Sequence, residues 1–92
     1  MKHLILFTMK SCPHCSDFKN MLTENGIDFH DHDIDEYREE YDMFTKLTES
    51  EFVPAFMIID ENNDQMNAGC FAPDRDYQSL EEAVEIIKKE II

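Results

Sequence analysis

An α/β fold, with elements in the order β-α-β-α-β-β-α and a four-stranded mixed sheet flanked by helices, follows from three observations. Two dense apolar runs, Leu4-Ile5-Leu6-Phe7 and Ala55 to Ile59, have the character of strands covered on both faces. Segments between and after them repeat apolar residues at helical spacing. A strand–helix–strand opening of about 30 residues calls for a right-handed crossover and parallel pairing, and a later hairpin adds antiparallel strands.

Lys2 to Thr8 is the first strand. Its basic start and short apolar run resemble a signal peptide, but the run stops at Thr8, too short for a secretory h-region. The segment therefore reads as a strand and the chain as cytoplasmic. Asp17 to Asn25 places Phe18, Met21 and Leu22 on one side, with Cys15 one turn earlier, and Asn25-Gly26 supplies a helix stop. Ile27 to His32 alternates Ile27 and Phe29 with Asp28 and His30, as a half-exposed strand does. Asp35 to Glu49 is a helix with Tyr37, Tyr41, Phe44 and Leu47 near one face and Asp33 or Asp35 as its cap. Ala55 to Ile59 is the next strand, residues 60–64 its turn, and Gln65 to Cys70 its hairpin partner. Ser79 and Glu82 fit a capping box for the last helix, whose buried stripe is Leu80, Ala83, Val84, Ile87 and Ile91. Without repeat, linker or low-complexity stretch, residues 1–92 read as a single domain.

The charge is −13, from 21 Asp and Glu against 8 Lys and Arg. Such a surface repels phosphate backbones and anionic lipids, so nucleic-acid and membrane partners are not expected. A hydrophobic content of 42% argues against a disordered acidic chain. Eight of the acids lie between Asp28 and Asp42 with Arg38 as the single base, a solvated face that would also steer basic partners.

Three cysteines, Cys12, Cys15 and Cys70, do not make a disulfide-stapled scaffold. Cys12-Pro13-His14-Cys15 falls between the first strand and the first helix. With Cys12 as N-cap, Pro13 sits at N1, where its missing N–H costs nothing, and Cys15 sits at N3. Free N–H groups of the first turn and the helix dipole then favour a thiolate on Cys12, with Cys15 more buried. A dithiol so arranged attacks a disulfide with Cys12 and resolves the mixed disulfide with Cys15, and the His14 imidazole favours the thiolate form. Structural zinc is the competing use of such a pair, with Cys70, His14, His30 and His32 as further ligands, though no second Cys-x-x-Cys or Cys-x-x-His occurs. Val53-Pro54 immediately precedes the second apolar strand, a position open to proline.

Taken together, the Phe7-to-Cys15 junction, the element order, the chain length and Val53-Pro54 resemble the thioredoxin superfamily, and within it a small dithiol glutaredoxin. The resemblance implies a thioredoxin-like fold and a cis Pro54 against the cysteines. It also implies glutathione as co-substrate, no tightly bound cofactor or metal, and a monomer acting on disulfide-containing proteins. Catalysis falls to Cys12 and Cys15, with Pro13 and His14 tuning the thiolate. Lys10, Val53, Pro54, Gly69 and Asp74 are the implied substrate or glutathione contacts. The sequence departs from the family at Phe52, where threonine is usual, and at Ala68-Gly69 in place of a glycine pair. Phe71 and Ala72 stand where acids commonly follow, and His14 stands where tyrosine is common. A glutathione-linked oxidoreductase is therefore the first reading. A thioredoxin-like protein served by a reductase and a zinc-stabilised or partner-binding module are the alternatives.

Overall fold

The computed structural model describes residues 2–62, 65–73 and 75–91. Its elements are β1 (Lys2–Thr8), α1 (Pro13–Glu24), β2 (His30–Asp33), α2 (Arg38–Thr48), β3 (Ala55–Asn62), β4 (Gln65–Phe71) and α3 (Leu80–Ile91). The strands form one mixed sheet in the order β2-β1-β3-β4. β1 pairs parallel with β2 and antiparallel with β3, and β3 pairs antiparallel with β4. This is the thioredoxin-like α/β arrangement expected from the element order.

The unbroken apolar run of β1 reflects its place inside the sheet. Leu4 and Leu6 face a core with Phe18 and Leu22 of α1, Phe56 and Ile58 of β3, and Ala83, Val84 and Ile87 of α3. Ile5 and Phe7 face the other way, toward Tyr41 and Phe44 of α2 and toward Ala55 and Ala72. Side chains alternate across a strand, so a strand with helices on both faces keeps no polar position.

Two boundaries differ from expectation. α1 ends in a Schellman motif: Gly26, at φ +69°, donates to Thr23 O at 3.1 Å, and Ile27 N donates to Leu22 O at 2.9 Å. Ile27 thus closes the helix and packs on the α1–α3 core, and β2 begins only at His30. The residue expected to cap α2 acts one turn earlier. Asp33 takes the Asp35 N–H on its carboxylate at 2.8 Å and the Glu36 and Tyr37 N–H groups on its carbonyl. The helix therefore starts at Arg38 behind Tyr37, which makes no side-chain cap. The buried face of α2 is Tyr41, Phe44 and Thr48, whereas Leu47 is 69% exposed. At about 100° per residue, Leu47 is turned too far from that face to share it. The cap on α3 is as expected, with Glu82 N donating to Ser79 Oγ at 3.2 Å.

Strand register brings four chain segments to one edge of the sheet. Thr8, at the end of β1, lies beside Asp33 at the end of β2. Phe7 lies beside Ala55 at the start of β3, and Phe56 beside Phe71 at the end of β4. The segment holding the cysteine pair, the entry to α2, the turn before β3 and the loop after β4 therefore all meet there.

Glu49, the C-cap of α2, has a left-handed backbone at φ 58° and carries a negative charge at the helix C-terminus. Both features are unfavourable. Glu49→Gly is expected to stabilise the protein by about 1 kcal/mol, seen as a higher urea midpoint; an unchanged or lower midpoint would contradict this account.

Candidate active site

β1 delivers the chain to the active edge held by two hydrogen bonds to the β2 segment. Thr8 is buried, its carbonyl accepts Ile34 N–H at 2.8 Å, and its hydroxyl donates to the Asp31 carboxylate. Three residues later Ser11 takes φ 60°, a left-handed turn that costs a non-glycine residue roughly 1–2 kcal/mol and redirects the chain into α1. Cys12 is the N-cap of α1, with φ −103° and ψ 105°, and Pro13 occupies the first helical position.

Cys12 and Cys15 are paired, with Cα atoms 5.3 Å apart, a separation at which a disulfide opens and closes without backbone movement. Cys15 N donates to Cys12 Sγ at 3.2 Å, so a first-turn amide of α1 points at this sulfur. Cys12 is half-buried and Cys15 only 2% exposed. A half-buried sulfur at the positive end of a helix with a more shielded one behind it is an arrangement that can serve attack and resolution in thiol–disulfide exchange.

Two cavities flank the pair. One, of about 380 Å³, is lined by Cys12 and Cys15 with Met9, Lys10 and Lys19. Lys19 is tied to Asp31 at 3.0 Å, while Lys10 is exposed and has no ion-pair partner among the described residues. The other, of about 410 Å³, joins His14 to Phe52, Val53, Pro54, Pro73, Tyr77 and Leu80. The Val53–Pro54 peptide is cis, as the resemblance implies. Pro54 is buried, and its carbonyl accepts the buried hydroxyl of Tyr77, whose acidity is suppressed by burial.

Lys10 and Pro13 thus share the first cavity with the cysteines, and Val53 and Pro54 share the second with His14. Gly69 lines neither. It pairs with Ile58, two residues short of the end of β4, and lines a separate pocket with Lys2, Asp60 and Glu90. A Cβ at this glycine would come within 3.1 Å of the Phe71 ring, which stacks on Phe56 at 4.9 Å, so Gly69 makes room for core packing. At the level of the active edge stand Phe71, the last residue of β4, and Ala72 after it. Asp74 lies outside the described residues. The nearby carboxylate of Asp76 accepts Ala72 N–H at 2.8 Å and the Arg75 guanidinium at 2.9 Å.

Phe52, Pro73 and Tyr77 were not foreseen as site residues. Pro73 and Tyr77 follow β4 in a loop without local periodicity, and only the hairpin register places them beside Pro54. Cys70 is half-buried on the α2 face, its thiol pushed up by burial, with Arg75 opposing and Asp76 adding to the shift. His30 is exposed, and His32 stacks on Tyr37 at 3.9 Å and bonds Glu40 at 3.1 Å. Among the described residues no group of three or more His, Cys, Asp or Glu side chains is gathered to hold a metal ion.

A family model described as glutaredoxin matches residues 4–62, more than half of the chain. No curated protein matches it.

Asp31 anchors this edge to β2. Burial alone would raise its carboxyl, but hydrogen bonds from Thr8 and Lys19 and the positive charges of Lys19 and His32 hold it below the usual value of 3.8. A depressed carboxyl stabilises the fold above its unfolded value, and the contribution is lost as pH falls through the folded one. Asp31→Asn should therefore cost about 0.5–1 kcal/mol near neutral pH, discounted for the partial exposure of the Lys19 pair. In urea melts the gap from wild type should close as pH drops below 3.8; a gap that widens in acid would reverse the sign assigned here.

Proposed function

The chain belongs to the glutaredoxin family, whose members are thiol–disulfide oxidoreductases, and from that premise we propose a glutathione-linked dithiol reductase working through Cys12 and Cys15. The observation that supports it most is the Cys15 N–H directed at a half-buried Cys12 sulfur, with Cys15 itself shielded behind it. In the reduced protein that amide and its helix dipole favour the Cys12 thiolate, and the Lys10 ammonium that lines the same cavity adds to the same effect.

Cys12 thiolate attacks one sulfur of a substrate disulfide. A new S–S bond forms to Cys12, the substrate S–S bond breaks, and the departing thiolate takes a proton from solvent. Cys15 then loses its proton and attacks Cys12 Sγ, expelling the second substrate thiolate and closing the Cys12–Cys15 disulfide. Two electrons have passed from the dithiol to the substrate. Two glutathione thiols return them, leaving as oxidised glutathione. A cytoplasm rich in reduced glutathione suits this cycle. On a glutathione mixed disulfide Cys12 alone suffices, because a second glutathione can release it. His14 on the groove side tunes the pair, and Val53 and Pro54 present the backbone against which substrate lies. The same dithiol served by a reductase would share every step but the last.

Paired assays coupled to glutathione reductase and to thioredoxin reductase separate these cycles. Wild type should turn over with glutathione, and Cys12→Ser should lose at least roughly a thousandfold in rate, as expected when the attacking group is removed. Cys15→Ser should keep activity on glutathione mixed disulfides and lose it on protein disulfides. Cys12→Ser protein working at the wild-type rate defeats the assignment; turnover with thioredoxin reductase alone moves it to the alternative reductant.

A further inference from the structure

Two tyrosine hydroxyls from distant parts of the chain hold the turn before β3 at its two ends. Tyr41 of α2 donates to Glu51 O at 2.7 Å, and Tyr77, after β4, donates to Pro54 O. Both rings are fixed by burial, at 5% and 3% exposure. Tyr41 packs on Phe7 at 5.7 Å, and Tyr77 stacks on Phe56 at 5.5 Å. The loop that carries Tyr77 is closed on itself, since Ala72 N–H donates to the Asp76 carboxylate and Asp76 N–H to Ala72 O.

Between the two clamped carbonyls lies Val53. Its side chain packs on the α2-side core, while its own N–H and C=O make no hydrogen bond among the described residues. The proline ring fixes φ at Pro54, so the set of the Val53–Pro54 peptide against Ala55 is left to the Pro54 ψ. A hydrogen bond to Pro54 O acts on that ψ directly. A free main-chain pair on a segment pinned at both ends is preorganised to receive another main chain. Val53 lines the cavity that His14 shares, so a main chain bound there lies next to the first turn of α1.

We propose that Tyr41 and Tyr77 are positioning residues, whose hydroxyls clamp residues 51–54 so that the Val53 backbone receives the main chain of a peptide disulfide. The proposal rests on the redox reading above and adds the groups that set its substrate side. Neither tyrosine lines the cavity of the cysteines, so the clamp acts on docking and leaves the Cys12 thiolate to the α1 amides. Loss of the Tyr77 hydroxyl strands a carbonyl on the buried Pro54, whereas Glu51 is exposed and its carbonyl can turn to water. Tyr77 is therefore the stronger of the two clamps.

Single-turnover exchange without a recycling reductant tests this. Protein reduced at Cys12 and Cys15 is mixed with either of two uncharged disulfides. One is bis(2-hydroxyethyl) disulfide, which has no peptide backbone. The other is the disulfide dimer of a blocked pentapeptide with a central cysteine among alanines. The ratio of the peptide rate to the hydroxyethyl rate should fall about tenfold in Tyr77→Phe and about threefold in Tyr41→Phe. The pH profile of Cys12 alkylation by iodoacetamide should match wild type in both. A ratio within about twofold of wild type in either variant overturns the proposal, and so does a shifted alkylation profile. Should Tyr77→Phe not melt cooperatively in urea, Tyr41→Phe decides by the same criteria. Reduced wild type that releases thiol from neither disulfide overturns the redox reading, and the clamp with it.

Discussion

The active edge depends on the burial of β1 between two layers. Leu4, Leu6 and Phe7 are each at most 2% exposed, and every one fills a core that contains at least one helix. Burying side chains of this size is worth roughly 1.5–3 kcal/mol apiece as an upper estimate. That burial holds β1 in one register, since a slip by one residue would exchange the faces and set Phe7 against α1 instead of α2. Once register is set, the end of β1 cannot move relative to the start of β3 or the end of β2. Ser11 then absorbs the sharp turn into α1, and the N-terminal amides of α1 come to rest against Cys12. The placement of Cys12 thus rests on a strand whose side chains are spent on the two cores.

How much of this was legible follows from whether a feature is local. The β1 run, the α1 and α3 stripes, Cys12 as N-cap, the Gly26 stop and the Ser79 cap are each decided within a few residues, and each appears in the fold. The misplaced features depend on distant pairing. Ile27 has strand-like alternation with Phe29, yet the Schellman bond to Leu22 O claims it for the helix end. Leu47 is apolar and close to the right spacing, but Thr48 falls nearer the line through Tyr41 and Phe44 and is buried in its place. Gly69 resembles half of a family glycine pair by order along the chain. The hairpin runs through Asn62 and Gln65, longer than its first strand suggested, and this carries Gly69 away from the edge and brings Phe71 and Ala72 to it.

The acidic segment shows the same gap between sequence and space. Residues 28–42 are remote from Cys12 along the chain, but the parallel β1–β2 pairing sets Asp33 beside Thr8, four residues before that cysteine. Asp31 then neutralises Lys19, one of the two ammonium groups lining the cavity at Cys12, and leaves Lys10 as the other. A field of −13 charges therefore begins close to the reacting sulfur. Its reach is about 8 Å at physiological ionic strength. The stabilisation of a thiolate must accordingly come from groups in contact with it, the α1 amides foremost.

Chemistry and recognition divide at different points of the chain. The family match ends at residue 62, with β3, and already contains the cysteine pair, the N-terminus of α1, and Val53-Pro54. The remaining wall of the groove beside His14 is Pro73, Tyr77, Gln78, Ser79 and Leu80, all beyond that point. The Tyr77 hydroxyl bonded to Pro54 O is the link between the two parts: it fixes the loop after β4 to the turn before β3. Membership of the family therefore accounts for sulfur chemistry at the end of α1. The C-terminal segment supplies the wall that faces His14 and Pro54 across the groove, and in this chain that wall mixes the apolar Pro73 and Leu80 with the polar Gln78 and Ser79.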